Sequence, residues 1–339
     1  MLRYIWFYFA LINLIAIKLT LNDKKASKKK AWRTKERTLL LVSVLGGSLA
    51  MLMTMLVVRH KTKKNKFMVG IPIIISLQVI LLVFALNTSL SIRYLTIKSD
   101  KIDGQIKLVL VTDLHSCQYG NGQVELINAV LNEYPDVVLL GGDIFDDVIP
   151  HDNTMEFLKG ITRKVPCYYV TGNHEFWSRE VDELKSTLIS NGIIVLEGSF
   201  DEIEINGNTI RICGLDDPDV DYYRSSSQLY SEQIDDLRES MNTEIYTILL
   251  AHRPERILEY LQLKPDLVLS GHAHGGQWVV PVILKNGLFA PNQGLFPKYT
   301  NGEYLVEGTK LIVSRGLARE TTRVPRIFNR PEIVIITVE

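Results

Sequence analysis

At 339 residues the chain is longer than one average domain. It is 46% hydrophobic with a formal net charge of zero, yet residues 1–98 hold 17 Lys and Arg against two acids, while the rest holds 21 against 36. The acidic remainder argues against a nucleic-acid surface. The three cysteines, Cys117, Cys167 and Cys213, are odd in number and not closely spaced, which argues against a disulfide framework and is compatible with a reducing cytoplasm.

In chain order, residues 38–58 and 67–90 are uncharged runs of 21 and 24 residues. Residues 1–21 are nearly as apolar, interrupted by Arg3, Asn13 and Lys18. A helix needs about 20 apolar residues to cross the hydrocarbon core, so three spanning helices are expected, at about 1–21, 38–58 and 67–90. The first run is too long for a cleaved leader and has no small-residue cleavage site before the Lys-rich stretch. Residues 24–37 carry eight Lys/Arg and residues 59–66 five, which suits anionic headgroups. With three spans these loops fall on opposite sides, and the more basic first loop puts itself and the C-terminal part in the cytoplasm. The expectation is a multi-pass cell-membrane protein whose membrane domain covers 1–90 and whose second domain covers 91–339. Gly46-Gly47 marks a candidate break or re-entrant turn in the second run.

Beyond residue 90 the pattern becomes α/β. Strands are predicted at 106–112, 136–140, 167–171, 246–250, 266–269, 310–313 and 332–338, and 91–98 is a candidate first strand. Helical stretches are predicted at 124–134, near 154–161 and near 180–190, and Asn206-Gly207 signals a hairpin between 202–205 and 209–213. Such alternation argues for an α/β core, with the domain boundary in the polar stretch 99–105 or just before 91.

Five of the seven histidines lie in four short motifs: Asp113-Leu114-His115, Gly172-Asn173-His174-Glu175, Ala251-His252-Arg253 and Gly271-His272-Ala273-His274-Gly275. Gly142-Asp143-Ile144-Phe145-Asp146 lies between the first two. Each motif directly follows a predicted buried strand, and strand C-termini in an α/β sheet converge on one edge where ligands bind. A lone histidine after a strand is usually structural, and His60 and His151 are assigned to that class. Taken together, two carboxylates, four imidazoles and one amide oxygen can surround two divalent ions, with one carboxylate shared. Mixed N/O donors without thiolates suit Mn²⁺, Fe or Zn²⁺ rather than Ca²⁺ or a structural zinc. Metal binding lowers the pKa of water from about 15.7 to about 7, giving a hydroxide nucleophile, and two ions about 3.5–4 Å apart can hold the attacking and leaving oxygens at phosphorus.

The set D-x-H, G-D-x-x-D, G-N-H-E, strand-end His and G-H-x-H resembles the calcineurin-like metallophosphoesterase superfamily over about residues 91–339. The resemblance implies a four-layer α/β/β/α sandwich with a dinuclear site. By motif position, Asp113, His115 and His274 would bind one metal, Asn173, His252 and His272 the other, and Asp143 would bridge, with Mn²⁺ favoured. His174 would stabilise the transition state or protonate the leaving oxygen, and Asp146 would orient it. The amides of Gly275-Gly276 could approach a phosphate oxygen. Protein Ser/Thr phosphatases carry Arg directly after the G-D-x-x-D carboxylate; Asp147 stands there instead, which argues against that activity. The Gly-His-Ala-His-Gly-Gly-Gln run, 295–299, Ser314-Arg315-Gly316-Leu317 and 329–333 are similar to bacterial membrane-associated phosphohydrolases and to transmembrane proteins with a metallophosphoesterase domain. That branch is related to enzymes that split the diphosphate of UDP-diacylglucosamine. Ala318, where the branch continues with Gly, leaves fine substrate preference open. Arg315 is either a substrate-phosphate contact or half of a structural ion pair. Residues 5–85 resemble a small bacterial membrane domain of unknown function, which is either an anchor or a lipid-headgroup reader using 59–62.

The expected function is therefore metal-dependent hydrolysis of a phosphoester or diphosphate bond, on a lipid-linked substrate, with no nucleic-acid partner and no protein partner inferred. A competing reading is a membrane scaffold or sensor that binds metal without turnover. Transport by the N-terminal part is disfavoured, because the second and third runs contain no ionisable residue.

Overall fold

The computed structural model describes residues 2–319 and 324–339, with side chains from residue 6 onward. The chain divides into two compact units, Met1–Leu86 and Asn87–Glu339.

In the N-terminal unit, two helices among the described residues are long and apolar enough to cross a membrane, Glu36–Val57 and Asn65–Ala85. This corrects the expectation of three. The run 1–21, which falls partly outside the described side chains, belongs to one helix, Leu2–Lys29. That helix continues into charged residues and carries Asn13, Lys18 and buried Asp23 along its length. Asp23 is the anchor of an ionic cluster: His60 Nε2 lies 2.7 Å and Lys61 Nζ 3.2 Å from its Oδ2, and Thr34 N–H donates to Oδ1. His60, left as structural on sequence grounds, is thus half of a buried pair.

Gly46-Gly47 does break the second helix. Ser43–Gly47 widens to a π turn, and Gly46 takes φ 108, a conformation open to glycine at little cost. The freed carbonyls are capped by side chains: Gln78 Nε2 donates to Ser43 O and Val44 O, and Tyr8 OH donates to Leu45 O. In an apolar medium such re-satisfaction is what lets a broken helix persist.

In the second unit the strands are β1 Ser91–Ile97, β2 Ile106–Val111, β3 Val137–Gly141, β4 Cys167–Val170 and β5 Ile194–Val195. They are followed by β6 Ser199–Ile205, β7 Asn208–Gly214, β8 Tyr246–Leu250 and β9 Leu267–Ser270. A short hairpin, β10 Phe289–Ala290 with β11 Gly294–Leu295, precedes β12 Gly302–Val306, β13 Thr309–Val313 and β14 Glu332–Val338. One six-stranded sheet runs β1-β14-β2-β3-β4-β5 and the other β12-β13-β9-β8-β7-β6. Both are mixed: β2-β3-β4-β5 and β7-β8-β9-β13 are parallel blocks.

Continuous apolar runs form the inner strands β3, β4, β8 and β9 because both faces are covered, whereas the edge strands β1, β6 and β12 alternate. From β2 and β3, Leu108, Leu110, Val137 and Leu139 enter a cluster with Ile212, Ile248, Leu250 and Leu269 of the other sheet. Their neighbours Val109, Val111, Val138 and Leu140 pack against helix residues Leu126, Val130, Phe157 and Leu188. The second sheet has its own outer cluster, with Val220, Ile234 and Tyr260.

Candidate metal centre

Loops leaving parallel strands carry the expected residues to one edge of the two sheets. β2 delivers Asp113 and His115, β3 delivers Asp143 and Asp146, and β4 delivers Asn173 and His174, while β8 is followed by His252 and β9 by His272 and His274. Ligand atoms of Asp113, His115 and His274 lie within 4.8 Å of one another, as do those of Asp143, His252 and His272. Asp143 Oδ2 is 3.0 Å from His252 Nε2 and 3.6 Å from His115 Nε2, so it links its own group to the other. Asp143, Asn173, His174, His272 and His274 line a cleft of about 330 Å³.

The backbone here is unusual. Asp113, His115, Asp143, His272 and His274 all adopt positive φ, between 45 and 63°. Non-glycine residues in this region are uncommon, cost of order 1–3 kcal/mol each in the strained cases, and gather at functional sites. Two glycines permit the close approach of the loops. A Cβ on Gly172 would lie 2.2 Å from Asp143 Oδ1, and one on Gly271 would lie 2.4 Å from Asp113 Oδ2.

The donor atoms fit a divalent cation. Asp113 Oδ2, His115 Nε2, Asn173 Oδ1 and His274 Nδ1 are buried and make no hydrogen bond. Each such orphan costs about 1–3 kcal/mol, and their gathering in one place suits a divalent cation. Burial, reinforced by the charge of His252, pushes His272 down to about 3, and burial with His115 holds His274 well below the usual range. Both imidazoles are therefore neutral and offer lone pairs, the state metal binding requires. Burial would also lower His252, but the Asp143 charge outweighs it and lifts the group to about 10. A cation binding there would displace that proton.

Two details depart from expectation, the carboxylate that holds His174 and the amide of Gly276. Asp146 Oδ2 sits 3.0 Å from His115 Nδ1 and 3.7 Å from His174 Nδ1, so its hydrogen bond goes to His115. The carboxylate on His174 is Asp147, with Oδ1 2.6 Å from Nδ1; the loop geometry turns the next residue along toward that ring. Gly276 N–H donates to Ala273 O at 2.8 Å and is spent within its own turn. Arg315 lies against Glu332, which Arg93 also pairs.

Sequence reasoning also passed over three supports. Buried Glu175 accepts hydrogen bonds from the N–H groups of Asp143, Ile144, Phe145 and Gly172, tying two metal-site loops together. Its place in the G-N-H-E motif was the available signal. Arg253, next to His252, grips buried Asp217 through Nε and Nη2 and reaches Asp219 at 2.7 Å. Asp219 in turn accepts from Trp177 Nε1, whose ring lies 4.6 Å from His174 and lines the cleft.

Family models match the chain twice: calcineurin-like phosphoesterase over residues 106–276, and a protein family of unknown function, DUF1294, over residues 13–67. The chain is 29% identical to the uncharacterized metallophosphoesterase YkuE of Bacillus subtilis, over 72% of this chain and 84% of that protein. An uncharacterized metallophosphoesterase of Helicobacter pylori is 31% identical over 52% of this chain, which spans about half (47%) of the relative's length. A zebrafish (Danio rerio) transmembrane protein with metallophosphoesterase domain is 33% identical over 51% of this chain and 41% of its own length.

Proposed function

Because the chain belongs to the calcineurin-like phosphoesterase family and is a phosphoester hydrolase, we propose that it is a two-metal enzyme acting on a phosphoester or diphosphate of a lipid-linked substrate at a membrane. The observation that carries this is the convergence of seven donor residues on one edge, where Asp143, grouped with His252 and His272, also reaches His115 of the group Asp113, His115 and His274. In this reading Asp113, His115 and His274 hold one ion, Asn173, His252 and His272 hold the other, and Asp143 serves both. Divalent ions, with Mn²⁺ the first choice, would supply Lewis acidity and lower the pKa of water.

His174 faces the cleft and is the group to meet the leaving oxygen. Asp147 holds its ring through Nδ1, and Asp146 steadies His115. An acid–base partner contributes typically about 10²–10⁴-fold. Asp147→Asn is therefore expected to slow an alkyl ester by about 10²-fold, yet p-nitrophenyl esters much less, because p-nitrophenolate leaves without a proton. Equal losses on both ester classes would remove Asp147 from this role.

The three apolar clusters support an α/β/β/α layering of the domain at 91–339, after a membrane domain at 1–90. In this reading both span-length helices cross the bilayer, so the basic residues 24–37 and the catalytic domain share a side, and the positive charge favours the cytoplasm for both. UDP-diacylglucosamine-like lipids are the candidate substrate class. The test is the detergent-purified protein with Mn²⁺ and then chelator, assayed on bis(p-nitrophenyl) phosphate and on a nucleotide-diphosphate lipid. Chelator-sensitive turnover with the lipid preferred is the expected result. Equal rates would sink the lipid assignment, and no turnover at full metal occupancy would favour a binding-only scaffold.

A further inference from the structure

One segment of the catalytic unit gathers exposed apolar side chains beside lysines. Residues 277–300 contain Lys285 and Lys298 and no acid, in a region of the chain that is otherwise strongly acidic. Val282 is 86% exposed, Ile283 84%, Phe296 69% and Leu295 61%. Val282, Ile283 and Phe296 line one shallow groove of about 360 Å³, with Lys285 at its side. Water-soluble surfaces rarely leave such side chains together in the open.

The root of the segment is fastened to the metal centre. Leu288 N–H donates to Gly276 O. Gly276 and Gly287 pack so closely that a Cβ on Gly276 would lie 2.1 Å from Asn286 O. Asn292 Oδ1 is 2.9 Å from His272 Nε2, and Pro291 and Asn292 line the cleft. The apolar tip and the cleft wall are therefore parts of one short segment.

We infer that this segment is an interfacial finger, whose apolar tip enters the headgroup–acyl boundary of an anionic bilayer while its root presents the cleft to phosphates carried there. The charge selects this occupant. Lysines beside exposed aliphatic and aromatic side chains match an anionic lipid surface, where the apolar groups gain burial and the ammonium groups gain attraction. The same chain carries two helices of membrane-spanning length, so a bilayer is at hand. The inference rests on the membrane-substrate reading above.

The test uses the full chain in single-copy nanodiscs containing phosphatidylglycerol, with an environment-sensitive NBD label on Ile283→Cys. The native cysteines are buried, and burial pushes Cys167 and Cys213 up to about 12, so the label goes to the new site. Tyr134→Cys is the control: it is exposed and precedes β3, at the sheet end opposite the cleft. The expected result is a blue-shifted label at 283 that doxyl-lipid quenches and iodide does not, with the reverse at 134. An iodide-quenched label at 283 overturns the proposal. A label shielded from iodide yet untouched by doxyl-lipid shows the face covered by protein instead of lipid and also overturns it. The readout needs no turnover, so its failure is separate from failure of the hydrolase reading, which bis(p-nitrophenyl) phosphate reports.

Discussion

An Asp143→Ala variant is expected to lose about 10³-fold or more of its Mn²⁺-dependent turnover of bis(p-nitrophenyl) phosphate, equivalent to about 4 kcal/mol of transition-state stabilisation. The Asp143 carboxylate reaches into both donor groups: Oδ2 lies 3.0 Å from His252 Nε2 and 3.6 Å from His115 Nε2. Its Oδ1 also accepts from the His174 N–H at 2.9 Å. Losing the carboxylate therefore disturbs both groups and the backbone that carries His174. The fold should survive, because Asp143's negative charge raises the pKa of the buried neighbours Asp113 and Glu175, alongside their burial, and its removal relieves them. Circular dichroism and metal content should be measured with the rate. A variant that keeps its metal and turns over normally would end the two-metal reading.

The second large effect is structural. Glu175→Ala is expected to destabilise the catalytic unit by on the order of 4 kcal/mol or more, since four buried N–H groups each lose an acceptor at about 1–3 kcal/mol apiece. That is a large fraction of a domain's stability of about 5–15 kcal/mol. Glu175→Gln should recover little of it, because its amide NH₂ would face N–H donors where the carboxylate presents only acceptors. Urea denaturation followed at the buried tyrosines would read the loss. Near-wild-type stability with reduced activity would instead mean that Glu175 acts on the chemistry alone.

Much of the fold was legible because buried strands declare themselves locally. β8 and β14 lie where apolar runs predicted them, and Asn206-Gly207 turns the hairpin between β6 and β7. The helix Leu229–Ser240 was missed, since its sparse apolar positions lie among charges. The β10–β11 hairpin was missed for lack of length, and β12 because its alternating, half-exposed residues form no continuous apolar run. The first membrane run misled because its composition resembles a span, whereas the helix it belongs to runs on to Lys29 and buries Asp23 in an ionic cluster.

By itself the sequence picked out the candidate donors, their attachment to strand ends and the family, because each motif is short and its residue types are those a divalent cation accepts. Only the tertiary structure decided the sheet order, with β14 inserted between β1 and β2 across more than 200 residues of chain. It alone decided which carboxylate faces His174, because two adjacent aspartates are equivalent on paper and only the loop's backbone turns one toward the ring. It alone also revealed the exposed finger, because whether an apolar run is buried or bare depends on what packs against it, and that is a property of the whole fold.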